Sequence, residues 1–237
     1  MCIGSYVSNE LIDGEGYIFL ENVIPINLID SINSKLDKLY PIRAIDSGKV
    51  YAERGDIYHL DNEISIWWSQ SVMDWFEVKA INNILFPKVN EELNNAQFYY
   101  SDIVTINGNS KLVNPHVDTP HRFKRWNTDT RLLGIQCIVA LHDTTPEMGS
   151  TGFVPNSHEP DWDIDMCYNA AYNKYFWDFY EQLTMPKGSV LLYNCRLLHS
   201  SMPNNLPNPR PALLLNYLDG DIVSEVRDID NVWSSNS

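Results

Sequence analysis

The sequence contains few cysteines and no long hydrophobic run. Its 237 residues include four scattered cysteines without a CxxC pair, namely Cys2, Cys137, Cys167 and Cys195. Such a set is typical of reduced thiols in a cytosolic protein. No apolar run approaches the roughly 20 residues that span a bilayer, and the opening residues lack the basic and apolar regions of a signal peptide. We therefore expect a cytoplasmic protein without a membrane segment.

Basic residues are also scarce. Lysine and arginine number 17 against 31 aspartates and glutamates, which gives a formal net charge of −14. Because nucleic-acid binding depends on basic side chains that displace phosphate counterions, this composition argues against a general nucleic-acid binder. Hydrophobic residues make up 44% of the chain and aromatic residues 12%, a composition typical of a folded globular protein.

The first part of the chain predicts one strand and two helices. Residues 16–20 have the composition of a strand, and residues 25–40 carry apolar side chains at helical spacing behind an initial proline. A second helix is predicted over about 70–86, where Pro87 interrupts it. Its expected apolar face consists of Val72, Trp75, Phe76, Ala80 and Leu85.

From about residue 96 the pattern changes to short β-type runs separated by Gly, Pro, Asn and Asp. This spacing is typical of an all-β sandwich or barrel. One aromatic-rich segment, 165–184, contains few helix-breaking residues and predicts an inserted helix or lid. We therefore predict a single domain over 1–237, mainly β with flanking helices. Its helical part covers about 1–95, and its jelly-roll core, a double-stranded β-helix, covers about 96–220.

The segment NPHVDTP, residues 114–120, suggests a metal site. On an extended strand, His116 and Asp118 point to the same face and can converge on one ion. The best candidate for a third ligand is His199, which follows an apolar strand. Two histidines and one carboxylate form the facial triad of non-haem Fe(II) oxygenases, which leaves adjacent coordination positions open. An HxD pair alone is a weak signal, and four other histidines compete for the third position: His59, His121, His142 and His158.

Arg210 strengthens the metal hypothesis. It lies at the head of an apolar strand, where a charged side chain is costly unless it is paired. Its planar guanidinium suits bidentate binding of a carboxylate. The combination describes a site for a dicarboxylate that chelates the metal with its other end. The alternative is that Arg210 caps the strand and binds an acidic neighbour.

Together these residues resemble the phytanoyl-CoA dioxygenase family of Fe(II)/2-oxoglutarate-dependent oxygenases. The similarity extends over four blocks that agree in order and spacing, residues 16–39, 114–120, 140–158 and 186–217. Two positions depart from the family pattern. Met148 stands where a polar residue often precedes the glycine, and Asn156 replaces a usual glycine in a turn. The middle region, 41–95, shows no family pattern.

The resemblance implies a cofactor set and a role for each matching residue. His116, Asp118 and His199 would hold Fe(II) and form the catalytic centre. Arg210 would bind the distal carboxylate of 2-oxoglutarate, with Ser201 as a possible donor to it and Gln136 and Tyr99 as weaker cofactor-binding candidates. The implied reaction consumes O₂ and 2-oxoglutarate, hydroxylates a substrate and releases succinate and CO₂. Halogenating relatives carry a small residue in place of Asp118, so this carboxylate favours hydroxylation.

The substrate is less well determined. Residues 121–125 form a basic cluster directly after the metal motif, and Arg122 and Arg125 are candidates for binding an anionic group of a small organic molecule. A solvated loop that balances nearby acids is the competing interpretation. Three other functions remain open: a cupin-like metal-dependent isomerase or lyase, which does not need Arg210, a non-catalytic jelly-roll binding protein, and an oxygenase that acts on a residue of another protein.

Overall fold

The computed structural model describes residues 10–39, 66–69, 72–93, 95–106, 108–109, 115–118, 131–158 and 170–223. The helices are α1 (Ile26–Leu39), α2 (Phe76–Leu93) and α3 (Ala170–Phe179). The strands are β1 (Tyr17–Leu20), β2 (Ile66–Ser69), β3 (Ala96–Ile106), β4 (Gly134–Ala140), β5 (Thr151–Phe153), β6 (Glu181–Gln182), β7 (Val190–Asn194), β8 (His199–Ser201) and β9 (Arg210–Asp219).

These strands form two antiparallel sheets that pack face to face. In the described part of the chain, the large sheet has the order β1-β7-β4-β9-β3-β2, and the small sheet has the order β6-β5-β8. Phe153 of the small sheet is fully buried in a cluster with Ile138 and Leu191 of the large sheet. The prediction of a mainly β sandwich with flanking helices is confirmed.

Strand β4 is buried on both faces of the large sheet. All seven of its residues are buried. Because alternate residues of a strand face opposite sides, Ile135 and Cys137 join the core beneath the helices, whereas Ile138 joins the cluster shared with the small sheet. Gln136 lies on the same face as Ile138. This face, which is turned toward the small sheet, is called the inner face below.

The helices cover the other face of the large sheet. Helix α1 matches its predicted range closely, but the prediction for the second helix is wrong at both ends. Helix α2 begins at Phe76 and continues through Pro87 to Leu93. Phe76 is 73% exposed and does not belong to the apolar face. The buried apolar stripe is Val78, Ile81, Leu85, Val89 and Leu93.

The stripe explains why Pro87 does not end the helix. Val89 and Leu93 continue the helical spacing of buried residues beyond the proline, and both are packed into the main core. Tertiary packing of that face therefore outweighs the backbone hydrogen bond that proline removes. Among the described residues, no helix combines the length and apolar character needed to cross a membrane.

The aromatic-rich segment 165–184 is only partly helical. Helix α3 ends at Phe179, and residues 181–182 add the edge strand β6 to the small sheet. A second local feature concerns Asn156, which has a φ of 61°. Asparagine tolerates this left-handed conformation better than most residues, so it can replace the glycine that the family pattern places there.

Candidate metal centre

Two separate chain segments bring the predicted metal ligands together. His116 and His199 exchange backbone hydrogen bonds of 2.8 and 2.9 Å, and the Asp118 N–H donates to the Cys195 carbonyl oxygen at 2.9 Å. The segment 115–118 thus lies alongside β8 at the edge of the small sheet. It forms an isolated bridge rather than the full strand that the sequence suggested.

The three side chains converge between the sheets. Each of His116, Asp118 and His199 offers one ligand atom, and these atoms lie within 4.8 Å of one another. His199 Nε2 is 3.6 Å from Asp118 Oδ1, and the two imidazole rings have centroids 4.4 Å apart. Two atoms that bind one ion at roughly 2 Å are at most about 4 Å apart, so a small side-chain adjustment from this arrangement lets all three atoms contact one ion.

Two competing histidines are placed elsewhere. His142 is exposed on the surface. His158 is buried, and its Nε2 lies 3.0 Å from the Ile12 carbonyl oxygen, so it has a structural role. His59 and His121 lie outside the described residues. Of the three described candidates, only His199 joins the HxD pair.

The imidazole of His199 is oriented for metal binding. Its Nδ1 lies 2.9 Å from the Leu197 carbonyl oxygen, which can only accept a hydrogen bond. Nδ1 therefore carries the hydrogen, and the lone pair of Nε2 points toward Asp118. The Tyr193 hydroxyl, on the inner face of β7, lies 3.0 Å from Asp118 Oδ2 and 3.2 Å from His199 Nε2. Burial and the neighbouring Asp118 raise the pKa of the Tyr193 phenol well above its ordinary value.

Arg210 is the first residue of β9 and is buried. It pairs in register with Ile106 and shares the inner face with Ala212 and Leu214. Burial lowers the pKa of the guanidinium to about 10, so it remains a cation at neutral pH. No described carboxylate lies within salt-bridge distance of it, and its Nε is buried without a hydrogen-bond partner. The acidic neighbour required by the strand-cap alternative is not found among the residues described.

Two amide side chains share the inner face of the large sheet. Gln136 of β4 lies opposite both Tyr193 and Asn216 in the sheet register. Gln136 Oε1 and Asn216 Nδ2 are both buried without a hydrogen-bond partner. Because buried polar atoms are normally satisfied, these atoms and Arg210 Nε fit a polar ligand bound between the sheets.

The remaining candidate residues for cofactor and substrate binding are Ser201, Tyr99, Arg122 and Arg125. Ser201 is half-buried on β8 and, two residues after His199, lies on the same face as this histidine. Tyr99 lies at the irregularity in the pairing of β3 with β9 and packs against the cluster that contains Val117. Arg122 and Arg125 lie outside the described residues.

Sequence reasoning missed Tyr193 and Asn216. Both lie in strands that were interpreted as apolar runs. The available signal is a pair of adjacent polar-tipped residues after an aliphatic run in each strand, but the face that each residue occupies depends on the strand register. Cys195, next to the site in sequence, is no ligand candidate, because burial raises the pKa of its thiol to about 12 and thereby suppresses the thiolate.

Comparisons with known proteins bear on the family and the fold. The sequence model of a family described as phytanoyl-CoA dioxygenase matches residues 12–212. No curated protein matches the chain significantly.

Three solved structures with a similar fold are SnoN, EctD and HygX. SnoN, a non-haem α-ketoglutarate-dependent epimerase from nogalamycin biosynthesis, is 15% identical with a TM-score of 0.66, and the match covers 89% of this chain and 80% of SnoN. EctD from S. alaskensis, with 2-oxoglutarate and 5-hydroxyectoine, is 20% identical with a TM-score of 0.63 over 91% and 77% of the two chains. HygX from Streptomyces hygroscopicus, with nickel and 2-oxoglutarate, is 16% identical with a TM-score of 0.63 over 90% and 88%.

At these identities, the similarity shows the fold alone. The shared architecture is the double-stranded β-helix core, which confirms the predicted fold class.

Proposed function

Because the chain belongs to the phytanoyl-CoA dioxygenase family, as its sequence blocks predicted, we propose that it is an Fe(II)- and 2-oxoglutarate-dependent oxygenase that hydroxylates a small organic molecule. At the level of the family, the predicted cofactor set of iron, 2-oxoglutarate and O₂ is confirmed. The observation that carries the proposal is the convergence of His116, Asp118 and His199 within 4.8 Å.

The donor set fits iron well. Two imidazole nitrogens and one carboxylate leave adjacent coordination positions for a chelating co-substrate and O₂. When bound, iron and 2-oxoglutarate supply the oxidising chemistry, and the protein supplies geometry and shields the reaction from water. In this proposal, His199 is held by the Leu197 carbonyl, and the Arg210 guanidinium binds the distal carboxylate of 2-oxoglutarate.

The unsatisfied polar atoms of the inner face support this placement. A buried guanidinium without a carboxylate partner is costly, and a bound dicarboxylate supplies that partner. The proposed cofactor-binding residues are Arg210 and Ser201, with Gln136 and Tyr99 as secondary candidates. An isomerase or lyase that uses the metal alone has no use for Arg210, so this residue and the family match both favour the oxygenase.

Hydroxylation is the preferred outcome among the reactions of this fold. Asp118 retains the carboxylate ligand, which favours transfer of oxygen to the substrate over halogenation. A structural neighbour, SnoN, is described as an epimerase, so the two outcomes need an experimental distinction. Incorporation of one labelled oxygen atom from O₂ into the product supports hydroxylation, whereas an unlabelled stereoisomer of the substrate supports epimerisation.

We propose that the substrate carries an anionic group that binds Arg122 and Arg125. These residues belong to a basic cluster in a chain with only 17 basic residues. Arg122→Ala and Arg125→Ala variants with an unchanged KM for the substrate would contradict this assignment. A cytoplasmic location is also proposed, supported by the free thiols of Cys137 and Cys195.

The decisive experiment is spectroscopic. Fe(II) and 2-oxoglutarate added to the protein without oxygen are expected to produce the weak visible charge-transfer band of the chelate. His199→Ala should abolish the band and Arg210→Ala should weaken it, whereas His142→Ala, which removes an exposed imidazole, serves as the matched control. Absence of the band in the unaltered protein would contradict the proposed function.

A further inference from the structure

Tyr193 contacts two of the three predicted metal ligands, although it is not one of them. It is 2% exposed and lies on β7, between β1 and β4 in the strand order of the large sheet. Its hydroxyl reaches across to the small sheet, 3.0 Å from Asp118 Oδ2 and 3.2 Å from His199 Nε2. Among the described residues, no other side chain forms a hydrogen bond with the Asp118 carboxylate.

The hydrogen positions define what Tyr193 does. His199 Nδ1 donates to the Leu197 carbonyl oxygen, so Nε2 is an acceptor. The carboxylate of Asp118 is also an acceptor. One phenolic hydrogen is therefore shared between two acceptors, the carboxylate and the imidazole nitrogen.

An ion bound at the site changes which group accepts the hydrogen bond from the Tyr193 hydroxyl. When the lone pair of His199 Nε2 is used for an ion, Asp118 Oδ2 becomes the acceptor that remains for the hydroxyl of Tyr193. This hydrogen bond then keeps Oδ2 from binding the ion. The other oxygen, Oδ1, lies 3.6 Å from Nε2 and stays available to an ion.

From this geometry we infer that Tyr193 is a positioning residue that keeps Asp118 bound through one oxygen only. This inference rests on the proposed function, because its purpose is to preserve adjacent positions for the chelating co-substrate. A carboxylate free to rotate can bind an ion through both oxygens and occupy one of those positions. Phenylalanine would fill the same space as Tyr193 without donating the hydrogen bond.

Tyr193→Phe is the direct test, and Tyr217→Phe is its matched control. Tyr217 is also fully buried, but its hydroxyl donates to Asn82 Oδ1 at 2.8 Å on the helix-covered face of the sheet. Each variant loses one buried hydroxyl and one hydrogen bond. A loss of general stability therefore affects both variants, whereas a change at the metal centre affects only the first.

Two titrations give the readout. First, Co(II) alone is added, and its visible absorption reports the coordination number. Second, Fe(II) and 2-oxoglutarate are added without oxygen, and the charge-transfer band gives the dissociation constant of 2-oxoglutarate. We expect Tyr193→Phe to weaken the Co(II) absorption, as higher coordination does, and to raise that dissociation constant by roughly tenfold or more, as is usual for groups that orient a metal ligand. Tyr217→Phe should leave both unchanged.

The outcomes separate the two proposals. If the unaltered protein shows no charge-transfer band, the proposed function fails, and the Co(II) spectra alone decide the role of Tyr193. If the Tyr193→Phe variant has the same Co(II) spectrum and the same 2-oxoglutarate affinity as the unaltered protein, the positioning role is wrong.

Discussion

At the residue scale, the buried side chain of Arg210 is the proposed binding group for a carboxylate ligand. A buried guanidinium normally has a carboxylate partner, because the loss of hydration is otherwise uncompensated. Arg210 has no such partner among the described residues, and its Nε is unsatisfied. In the proposed function, a bound dicarboxylate supplies the partner that the described residues do not.

The substitution Arg210→Met tests this account. Without ligand, we expect the free energy of unfolding to stay the same or to rise by up to about 2 kcal/mol, because an unpaired buried charge is removed. The dissociation constant of 2-oxoglutarate should rise by at least about tenfold, since a charge-assisted hydrogen bond contributes roughly 1.5–3 kcal/mol. Chemical denaturation and anaerobic titration measure the two effects.

Arg131→Met is the control for this change. Arg131 is about half exposed, and its Nη1 lies 3.6 Å from Asp219 and Asp221 at the surface. Its replacement should leave the affinity for 2-oxoglutarate unchanged. A strongly destabilised Arg210→Met variant that binds 2-oxoglutarate normally would show that Arg210 is structural.

At the scale of elements, helix α2 shows packing prevailing over local preference. Pro87 is exposed, and it removes the hydrogen bond to the carbonyl of Asn83 without disturbing the buried stripe. We expect Pro87→Ala to raise the free energy of unfolding by about 1–3 kcal/mol, measured by chemical denaturation. The control Asn83→Ala, an exposed position in the same helix, should give only a few tenths of a kcal/mol. An equal effect of the two substitutions would mean that the helix has already adapted to its proline.

Glu77 joins the two helices that cover the large sheet. It is 5% exposed, accepts a 2.5 Å hydrogen bond from Ser31 Oγ, and forms an ion pair with Lys35 of α1. Burial by itself raises the pKa of Glu77, but the bonds from Lys35 and Ser31 outweigh it and hold the pKa below its usual value. The ionised carboxylate therefore stabilises the packing of α1 against α2.

The lowered pKa predicts a pH-dependent contribution to stability. Glu77→Gln should lower the free energy of unfolding by about 1–2 kcal/mol at neutral pH. The stabilisation is present above the unfolded pKa of about 4.3 and is lost as the pH falls through the folded pKa, so the difference from the unaltered protein should shrink below about pH 4. Denaturation curves across this range test the sign, and Glu91→Gln, at an exposed surface pair with Lys88, should show almost no effect. A difference that grows toward acid pH would contradict the assignment.

At the scale of the whole molecule, the candidate metal ligands come together only when two distant segments of the chain pair. His116 and Asp118 lie on one segment, His199 lies far along the chain, and Tyr193 reaches them from the opposite sheet. The unfolded chain does not hold these groups together. We therefore expect metal binding at the proposed site to be coupled to folding.

This coupling predicts a stabilisation by metal that a chelator reverses. Zn(II), used as a redox-inert probe at about 100 times its dissociation constant, should raise the free energy of unfolding by about 2.7 kcal/mol. His199→Ala should lose this increment, and His142→Ala should keep it. Equal stabilisation of both variants would place the bound ion elsewhere on the protein.

The sequence alone determined the fold class, the HxD pair, the third histidine and the arginine. The fold-class prediction is confirmed, because hydrophobic periodicity is a local signal. The ligand assignments follow from residue types that occur in a recognisable order along the chain, and they stay predictions. The range of α1 likewise follows from local spacing of apolar residues. The division into a single domain and the roles of Arg122 and Arg125 stay predictions.

Only the tertiary structure decided the rest. Whether Pro87 ends a helix depends on what packs against Val89 and Leu93, and the sequence does not contain that information. The contact of Tyr193 with Asp118 and His199 depends on the register of β7 and on the way the two sheets face each other, because a one-residue shift would turn the hydroxyl toward the helices. Residue types thus determined which chemistry is available, and the packing of the sheets determined which side chains share the site.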